Sequence, residues 1–356
     1  MRPLIYSMGV SLDGYIAGPR GEGDWAVPDA ELHRFHNEQA RELDLHLLGS
    51  RLYEVMADWE TAERRDPAAP EHELDFARIW KRLPKVVYSK SLEAVEGNTR
   101  LSRGDPVQEV QALQLSSAEA HPSSPATSTS TSSWSRRGRS APASCTCATA
   151  GFRKEDAVSA TVLYMSTSLD GFIAGPNEGP GNGLGDGGHR LHEWVMTAGD
   201  VDLDAIRESG GVNGKVVDEF MSTGAIVAGR GTFEPARGWG GDHHDGVPIF
   251  VLARHEPGID ISRWPLVAYV NDVTTAMTRA KEAAGDKNVL VHGAGTAQLA
   301  LAAGVLDELE LHVVPVLFGQ GRRLFEGLAR EQVELERTRI LEGEGGVTHM
   351  HYRVQR

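Results

Sequence analysis

The sequence has 356 residues, a formal net charge of −14 and 40% hydrophobic residues, enough for buried cores in about two domains. The acidic balance argues against nucleic acid as a partner, because binding a polyanion relies on basic surface. No apolar run approaches about 18 residues, so no membrane span is predicted. Residues 1–6 lead into a strand-like segment without a signal-peptide layout. The two cysteines, Cys145 and Cys147, are too close for an ordinary disulfide, which favours a cytoplasmic location.

One architecture occurs twice along the chain. Three segments recur in the same order: residues 8–19 match 165–176, residues 48–54 match 228–234, and residues 84–90 match 248–254. Three matches in register indicate two copies rather than chance similarity. We therefore predict an incomplete domain over residues 1–113 (the first copy) and a complete domain over residues 161–356 (the second copy).

Residues 114–160 differ sharply in composition from both copies. They are rich in Ser, Thr, Pro and Ala, with little periodic apolar content, and are predicted to form a disordered linker. An alternative hypothesis is that a reading-frame change replaced the missing half of the first copy. In that case another frame of the gene should encode a glycine loop and a Val-rich strand.

In the second copy, predicted strands alternate with predicted helices. Strands are expected at residues 161–166, 225–228, 248–252, 266–270, 288–292 and 309–318, with a closing hairpin of residues 333–341 and 347–354. Helices are expected at residues 189–196, 212–221 (capped by Asn213), 273–284 (capped by Asp272) and 293–303. A glycine-rich loop at residues 177–188 is suited to act as a lid. This alternation indicates an α/β fold with a mostly parallel sheet flanked by helices and an antiparallel finish.

Two strand ends carry residues suited to binding an anion. The first is Gly229, followed by Arg230 and Thr232, where a helix begins directly after a buried strand. The alternative is an ordinary turn with a solvated arginine. The second is a glycine-rich helix start formed by Gly293, Ala294, Gly295 and Thr296, which departs from the standard dinucleotide fingerprint because Gln298 occupies its third glycine position. Two such helix starts on one sheet edge would span a dinucleotide.

Several further residues are open to two interpretations. Arg254 follows a strand and would suit a 2′-phosphate, or is simply solvated. Residues 242–245, Asp-His-His-Asp, are interpreted as a solvated loop rather than a metal site, and no metal is predicted. His189 and His192 share a short helical turn with Glu193 and face either the substrate or the surface.

Taken together, these motifs resemble the dihydrofolate reductase-like superfamily, in particular the reductase domain of bacterial riboflavin biosynthesis (RibD C-terminal type). The resemblance is carried by residues 168–175, 229–234, 293–296, and 305–309 with 313–319. It implies that NADPH binds across the carboxyl edge of the sheet. It places Ile173, Ala174 and Gly175 near the nicotinamide, Gly229, Arg230, Thr232 and Arg254 at the adenosine-side phosphates, and the loop of Gly293, Ala294, Gly295 and Thr296 at the pyrophosphate. Asp170 and Glu193 are the candidate catalytic residues.

Departures from the family pattern limit which activity is expected and which copy is expected to bind the cofactor. Glu193 is only a candidate for the acid that contacts the pterin in dihydrofolate reductases, and the zinc-deaminase pattern of the bifunctional riboflavin enzyme is missing. The first copy has Ser50, Arg51 and Leu52 in place of Arg230, Gly231 and Thr232, and is expected to bind cofactor poorly or not at all.

We therefore expect an NADPH-dependent reductase acting on a small heterocyclic, carbonyl or imine substrate. The alternative is a non-catalytic dinucleotide- or ligand-binding protein of the same fold. The expected partner is a small molecule, with no nucleic acid and no membrane. We also expect either a homodimer or pairing of the two copies within one chain.

Overall fold

The computed structural model describes residues 3–18, 27–116, 159–179, 181–197, 199–328 and 332–356. They form two compact units, one built mainly from the first copy and the other mainly from the second. Most of the predicted linker, residues 117–158, lies outside the described residues. Within the described part of the chain, no helix is long and apolar enough to cross a membrane.

The first copy contains a three-stranded parallel sheet with strand order β1-β2-β3. Its elements are α1 (Ala30–Arg41), β1 (His46–Gly49), α2 (Ser50–Met56), α3 (Ala62–Arg65), α4 (Glu71–Arg82), β2 (Lys85–Tyr88), β3 (Thr99–Ser102) and α5 (Pro106–Ser116). A small core forms around Leu48, Tyr53, Trp80 and Val87.

The predicted strand at the N-terminus is wrong. Residues 3–10 have no strand partner among the described residues, and Ile5 and Tyr6 are 66% and 83% exposed. The matching residues of the second copy, Val162 and Leu163, are 1% and 0% exposed in a central strand. That strand lies between two neighbours, and the described part of the first copy supplies a counterpart to neither.

The second copy is built on an eight-stranded mixed sheet, which confirms the predicted fold class. Its elements are β4 (Thr161–Ser168), β5 (Phe172–Ala174), a 3₁₀ helix (Gly188–Val195), β6 (Met196–Thr197), β7 (Asp200–Val201), α6 (Leu203–Ser209), α7 (Gly211–Met221), β8 (Ala225–Gly229), α8 (Arg230–Phe233), a second 3₁₀ segment (Arg237–Gly241), β9 (Ile249–Leu252), β10 (Val267–Val270), α9 (Val273–Ala284), β11 (Val289–His292), α10 (Ala294–Ala302), β12 (Glu308–Val314), β13 (Arg322–Arg323), β14 (Leu335–Glu342), a third 3₁₀ segment (Glu344–Gly346) and β15 (Thr348–Val354).

Strand order in this sheet is β10-β9-β8-β11-β4-β12-β15-β14. The first six strands are parallel, and β15 and β14 add the predicted antiparallel hairpin. All parallel strands therefore end at one edge of the sheet, which is where open α/β sheets bind ligands.

Both faces of the parallel part are covered, which is why β8 is apolar at every position. Ala225 and Val227 pack beneath α9 and α10, whereas Ile226 and Ala228 face the aromatic side chains of the opposite layer. Each large aliphatic side chain buried in this way stabilises the fold by about 1.5–3 kcal/mol.

Three predicted element features are corrected by the structure. Asn213 does not cap α7, because it lies within the helix and is buried, whereas the Glu344 carboxylate accepts from the N–H groups of Val212 and Asn213. The strand predicted to reach residue 318 ends at Val314, where Pro315 cannot donate to a sheet hydrogen bond. In addition, the helix predicted at residues 189–196 is a 3₁₀ helix.

Candidate functional site

A cleft of about 1140 Å³ runs along the carboxyl edge of the parallel strands of the second copy. Its walls include the segments that follow β8, β9, β10 and β11, as expected from the fold. Of the predicted cofactor residues, the cleft is lined by Ile173, Ala174, Gly229, Arg230, Thr232, Arg254, Gly293, Ala294, Gly295 and Thr296. Gly175 is not among the lining residues, because it packs against the backbone of Asp186.

Two loops interlock at the centre of this edge. Strands β8 and β11 are parallel neighbours with Ala228 opposite His292, so the loops after them lie side by side. A Cβ atom on Gly229 would lie 2.9 Å from Thr296 Oγ1, and one on Gly293 would lie 2.4 Å from Thr232 Oγ1. Each threonine thus packs over the glycine of the other loop, and we call this arrangement the two-loop cradle.

The cradle offers unoccupied hydrogen-bonding capacity. Thr296 Oγ1 is buried and has no hydrogen-bond partner in the described part of the chain. The Cα atoms of Gly231 and Gly295 face open space, since a Cβ atom there would meet nothing within 4 Å. The nine-residue helix α10 begins at this point and directs its free N–H groups outward, whereas α8 is a single turn of four residues and has little dipole of its own.

Two guanidinium groups lie on the same part of the wall. Arg230 and Arg254 line the cleft and are exposed. No ion pair or hydrogen bond joins either side chain to a described residue. Unpaired arginines beside open glycine backbone are suited to phosphate groups, because guanidinium forms charge-assisted hydrogen bonds with them.

The wall that adjoins the cradle is aromatic and uncharged. Its rings are Tyr164, Trp194, Phe220, Trp239, His243, His292 and His312. Ring centroids lie 4.5 Å apart for Trp194 and His312, 4.6 Å for Trp239 and His243, and 5.4 Å for His243 and His292. Burial lowers the pKa of His243 to about 2 and that of His292 to about 4, and it holds the pKa of His312 well below its usual range. These imidazoles are therefore neutral near pH 7.

The two predicted catalytic residues lie outside the cleft lining. Asp170 accepts hydrogen bonds from Ser168 Oγ at 2.6 Å and from the backbone N–H groups of Phe318 and Gly319 at 3.1 and 2.7 Å. Glu193 is exposed and pairs with Arg190. His192, the neighbour of Glu193, does line the cleft, and burial lowers its pKa.

Sequence reasoning missed a buried polar cluster under the aromatic wall. Glu310, His312 and His349 hold potential ligand atoms within 4.8 Å of one another, the one such group among the described residues. His312 and His349 are 37 positions apart, and they meet only because β12 and β15 pair in antiparallel register. The loop of residues 242–245, interpreted from sequence as solvated, is solvated only in part. Asp242 and Asp245 are exposed, whereas His244 is buried and hydrogen-bonded to Thr223 Oγ1 at 3.1 Å.

Comparison with known proteins agrees with this geometry. The chain belongs to the RibD C-terminal domain family, whose model matches residues 2–117 and 160–348. The match falls in two segments, in keeping with a tandem arrangement. No curated protein matches the chain.

Several solved structures are similar to part of the chain. A putative riboflavin biosynthesis protein from Shewanella sp. PV-4 is 22% identical, with a TM-score of 0.41, covering 55% of this chain and 99% of that one. A pyrimidine reductase-like protein from Corynebacterium diphtheriae is 13% identical, with a TM-score of 0.33, covering 56% and 92%. A diaminohydroxyphosphoribosylaminopyrimidine deaminase/5-amino-6-(5-phosphoribosylamino)uracil reductase from Thermotoga maritima is 14% identical, with a TM-score of 0.38, covering 55% and 57%.

Proposed function

We propose that the second copy is an NADPH-dependent reductase that acts on a small, flat heterocyclic, carbonyl or imine substrate. The observation that supports this most is the two-loop cradle, placed beside two unpaired arginines at the edge of a cleft with a neutral aromatic wall. One part of the cleft suits phosphates and the adjoining part suits stacked, uncharged rings. Family membership supports a reductase at the same general level.

The residues of the cradle fit a dinucleotide. The Thr296 hydroxyl and the N–H groups at the start of α10 would bind the pyrophosphate, and Gly295 would allow its close approach. Arg230 and Arg254 would bind the 2′-phosphate that distinguishes NADPH from NADH. When bound, the cofactor supplies a hydride, and the aromatic wall would hold the acceptor ring against it while excluding water.

A second candidate function follows from the acidic residues of the cleft. Glu178 is paired with Arg322, and Asp272 accepts from the Thr275 N–H at the start of α9. Among the described lining residues, these two carboxylates are the only ones, so no unengaged carboxylic acid stands ready to donate a proton. Reduction would then take its proton from water or from the substrate. A protein that binds the dinucleotide without turnover would have the same cleft.

Cofactor titration of the full chain tests the proposal. We expect the wild type to bind NADPH more tightly than NADH, and Arg230→Ala to weaken NADPH by about tenfold or more, because a charge-assisted hydrogen bond contributes roughly 1.5–3 kcal/mol. NADH should be affected much less. Arg263→Ala is the matched control, since Arg263 is exposed and outside the cleft lining.

Each alternative outcome has a definite meaning. Equal losses for both cofactors in Arg230→Ala would remove the 2′-phosphate role. Absence of NADPH binding by the wild type would refute the proposed function. Consumption of NADPH with a panel of carbonyl, imine and pyrimidine compounds would support a reductase, and tight binding without any consumption would support the second candidate.

A further inference from the structure

Three side chains are hydrogen-bonded in series, beginning with His312 of the aromatic wall and continuing into the buried layer behind it. His312 Nδ1 lies 2.9 Å from His349 Nδ1, and His349 Nε2 lies 3.0 Å from Asn213 Oδ1. Asn213 Nδ2 in turn donates to the backbone carbonyls of Trp194 and Glu344, at 3.1 and 3.2 Å. His349 is fully buried and Asn213 is nearly so. We call His312, His349 and Asn213 the buried relay.

The donor and acceptor of each hydrogen bond in the buried relay follow from the orientation of the Asn213 amide. Because the Asn213 amide nitrogen faces two carbonyl oxygens, its Oδ1 faces His349 and accepts the hydrogen bond. His349 must therefore carry its proton on Nε2. In a neutral imidazole the other nitrogen then has a lone pair, so His349 Nδ1 accepts from the N–H of His312 Nδ1. His312 is left with an unprotonated Nε2.

Burial keeps both rings neutral, as this assignment requires. Removal from water lowers the pKa of His349 to about 4 and that of His312 well below its usual range. The charge on Arg339 also lowers the pKa of both imidazoles, and burial with this charge outweighs Glu344 and Glu219, which act to raise the pKa of His349.

The free nitrogen of His312 belongs to the edge of the ring that faces away from His349. His312 lines the cleft, as does Trp194, whereas His349 is not a lining residue. The edge of His312 turned away from His349 is therefore the one that can face the cleft. Trp194 cannot satisfy it, because its indole N–H donates to Ser166 Oγ at 3.0 Å. No described residue forms a hydrogen bond with His312 Nε2.

We propose that His312 Nε2 is a hydrogen-bond acceptor for the substrate, and that it favours flat rings presenting an N–H or O–H group at this position. The proposal rests on the proposed function in taking the cradle for the nucleotide and this wall for the substrate. A ring that turned a carbonyl oxygen or a methyl group toward His312 would leave the lone pair without a partner, which costs free energy in a desolvated site.

A metal ion is the competing explanation for the same residues. Glu310 Oε1 is buried without a hydrogen-bond partner, and a His₂Glu set is a known zinc ligand set. Two observations favour the hydrogen-bonded pair instead. A cation would lie near the Arg339 guanidinium, which contacts Glu310 Oε2 at 3.2 Å. It would also compete with the hydrogen bond between the two Nδ1 atoms, which lie 2.9 Å apart.

The tautomers can be read directly from long-range ¹⁵N–¹H correlation spectra of the full chain near neutral pH. We expect His312 protonated at Nδ1 only and His349 protonated at Nε2 only. The variant Gly343→Ala should disturb both assignments, because its Cβ atom would stand 2.4 Å from Asn213 Oδ1 and 2.5 Å from His349 Nε2. Gly49→Ala, where a Cβ atom meets nothing within 4 Å, is the control.

Two spectral outcomes would overturn the proposal. One is a wild-type His312 protonated at Nε2. The other is a joint shift of both Nδ1 resonances on addition of equimolar Zn²⁺ that is abolished by Glu310→Gln, which would identify a metal site.

Ligand binding supplies the second readout, with uracil and 1,3-dimethyluracil as probes on the NADPH-saturated chain. Both are flat and uncharged, and the methyl groups remove both N–H donors. We expect the wild type to prefer uracil by about fivefold or more, as one hydrogen bond contributes about 1 kcal/mol.

His312→Phe should lose this preference while its NADPH affinity stays unchanged. No preference in the wild type, including no binding of either probe, would overturn the proposal. If the wild type fails to bind NADPH at all, the proposed function fails instead.

Discussion

At the scale of single residues, the two acids singled out from sequence have opposite environments. Burial acts to raise the pKa of Asp170, but hydrogen bonds from Ser168 and from the backbone of Gly319 and Phe318 outweigh it, and the pKa lies below its usual value. Glu193 is exposed and bonded to Arg190. The recurring Ser-Leu-Asp-Gly motif is therefore explained by the turn it stabilises, in which the carboxylate binds the segment after β12.

This environment predicts the effect of Asp170→Asn. The amide retains acceptor capacity but directs N–H groups at backbone donors, so we expect unfolding free energy at neutral pH to fall by about 1–3 kcal/mol. Because the folded-state pKa is depressed, the carboxylate's contribution is present above the unfolded value of about 3.9 and is lost as pH falls through the folded value. Urea unfolding of wild type and variant should therefore converge as the solution is acidified.

Glu193→Gln provides the comparison for this measurement. An exposed ion pair contributes about 0–1 kcal/mol, so this variant should unfold close to wild type at every pH. A destabilisation by Glu193→Gln equal to that of Asp170→Asn, or an Asp170→Asn variant as stable as wild type, would contradict the assignment.

Residues near a recognisable strand end were predictable, and residues brought together by register were not. Arg230, Thr232 and Thr296 directly follow apolar strands, so their place on the cleft edge follows from the parallel sheet. The contact of each threonine with the other loop's glycine depends on which strands are neighbours, and no local pattern encodes strand order. His312 and His349 lie on β12 and β15, and neither position differs in local sequence from an ordinary strand residue.

At the scale of elements, local signals predicted some boundaries and missed others. Helix α9 has the predicted bounds, and the Asp272 carboxylate accepts from the Thr275 N–H at 2.7 Å. Helix α7 begins after Gly210, with no capping side chain of its own. Its first N–H groups donate to the carboxylate of Glu344, more than 100 positions away. The cap is therefore a tertiary contact, and the local sequence, which predicted Asn213 as the cap, does not reveal it.

We predict that Glu344→Ala destabilises the second copy through this helix start. The carboxylate accepts from Val212 N at 2.9 Å and Asn213 N at 2.8 Å, and loss of a helix cap costs about 1 kcal/mol. These hydrogen bonds also lower the pKa of Glu344. The contribution should therefore be present above the usual glutamate pKa of about 4.3 and disappear as pH falls through the folded value.

Thermal unfolding of Glu344→Ala beside Glu342→Ala gives the measurement. Glu342 is an exposed residue of the same hairpin whose carboxylate forms no hydrogen bond or ion pair with a described residue, so truncating its side chain should be nearly neutral. Equal melting temperatures for the two variants would argue that the cap contributes nothing.

At the scale of the whole chain, the two copies are predicted to differ in nucleotide binding. Strand β1 ends at Gly49 as β8 ends at Gly229, but Ser50, Arg51 and Leu52 follow it in α2. In the two-loop cradle, the loop after β8 interlocks with the loop after β11. The described residues of the first copy contain no partner for the loop after β1, because their sheet has three strands and no counterpart of β11. The described part of the first copy therefore has no counterpart of the loop of residues 293–296 and none of the threonine contacts.

We therefore expect one NADPH per chain in isothermal titration. Arg51→Ala should leave both affinity and stoichiometry unchanged, whereas Arg230→Ala should lower affinity. Two equivalent sites, or a loss of affinity in Arg51→Ala, would show that the first copy takes part in binding.

The same comparison predicts how the two matching N-terminal segments exchange their amide hydrogens. Strand β4 is bonded on one side to β11 and on the other to β12, so its amides are tied into the centre of a sheet. Residues 3–10 share the apolar character of β4 but have no strand on either side in the described structure. Backbone amides without a partner exchange at nearly the rate of an unfolded peptide, whereas those of a central strand need extensive unfolding first. We expect deuterium uptake within seconds over residues 4–10 and protection for hours over residues 162–167. Protection of residues 4–10 in the monomeric chain would mean that a strand partner exists, and the explanation of their exposure by missing neighbours would then be wrong.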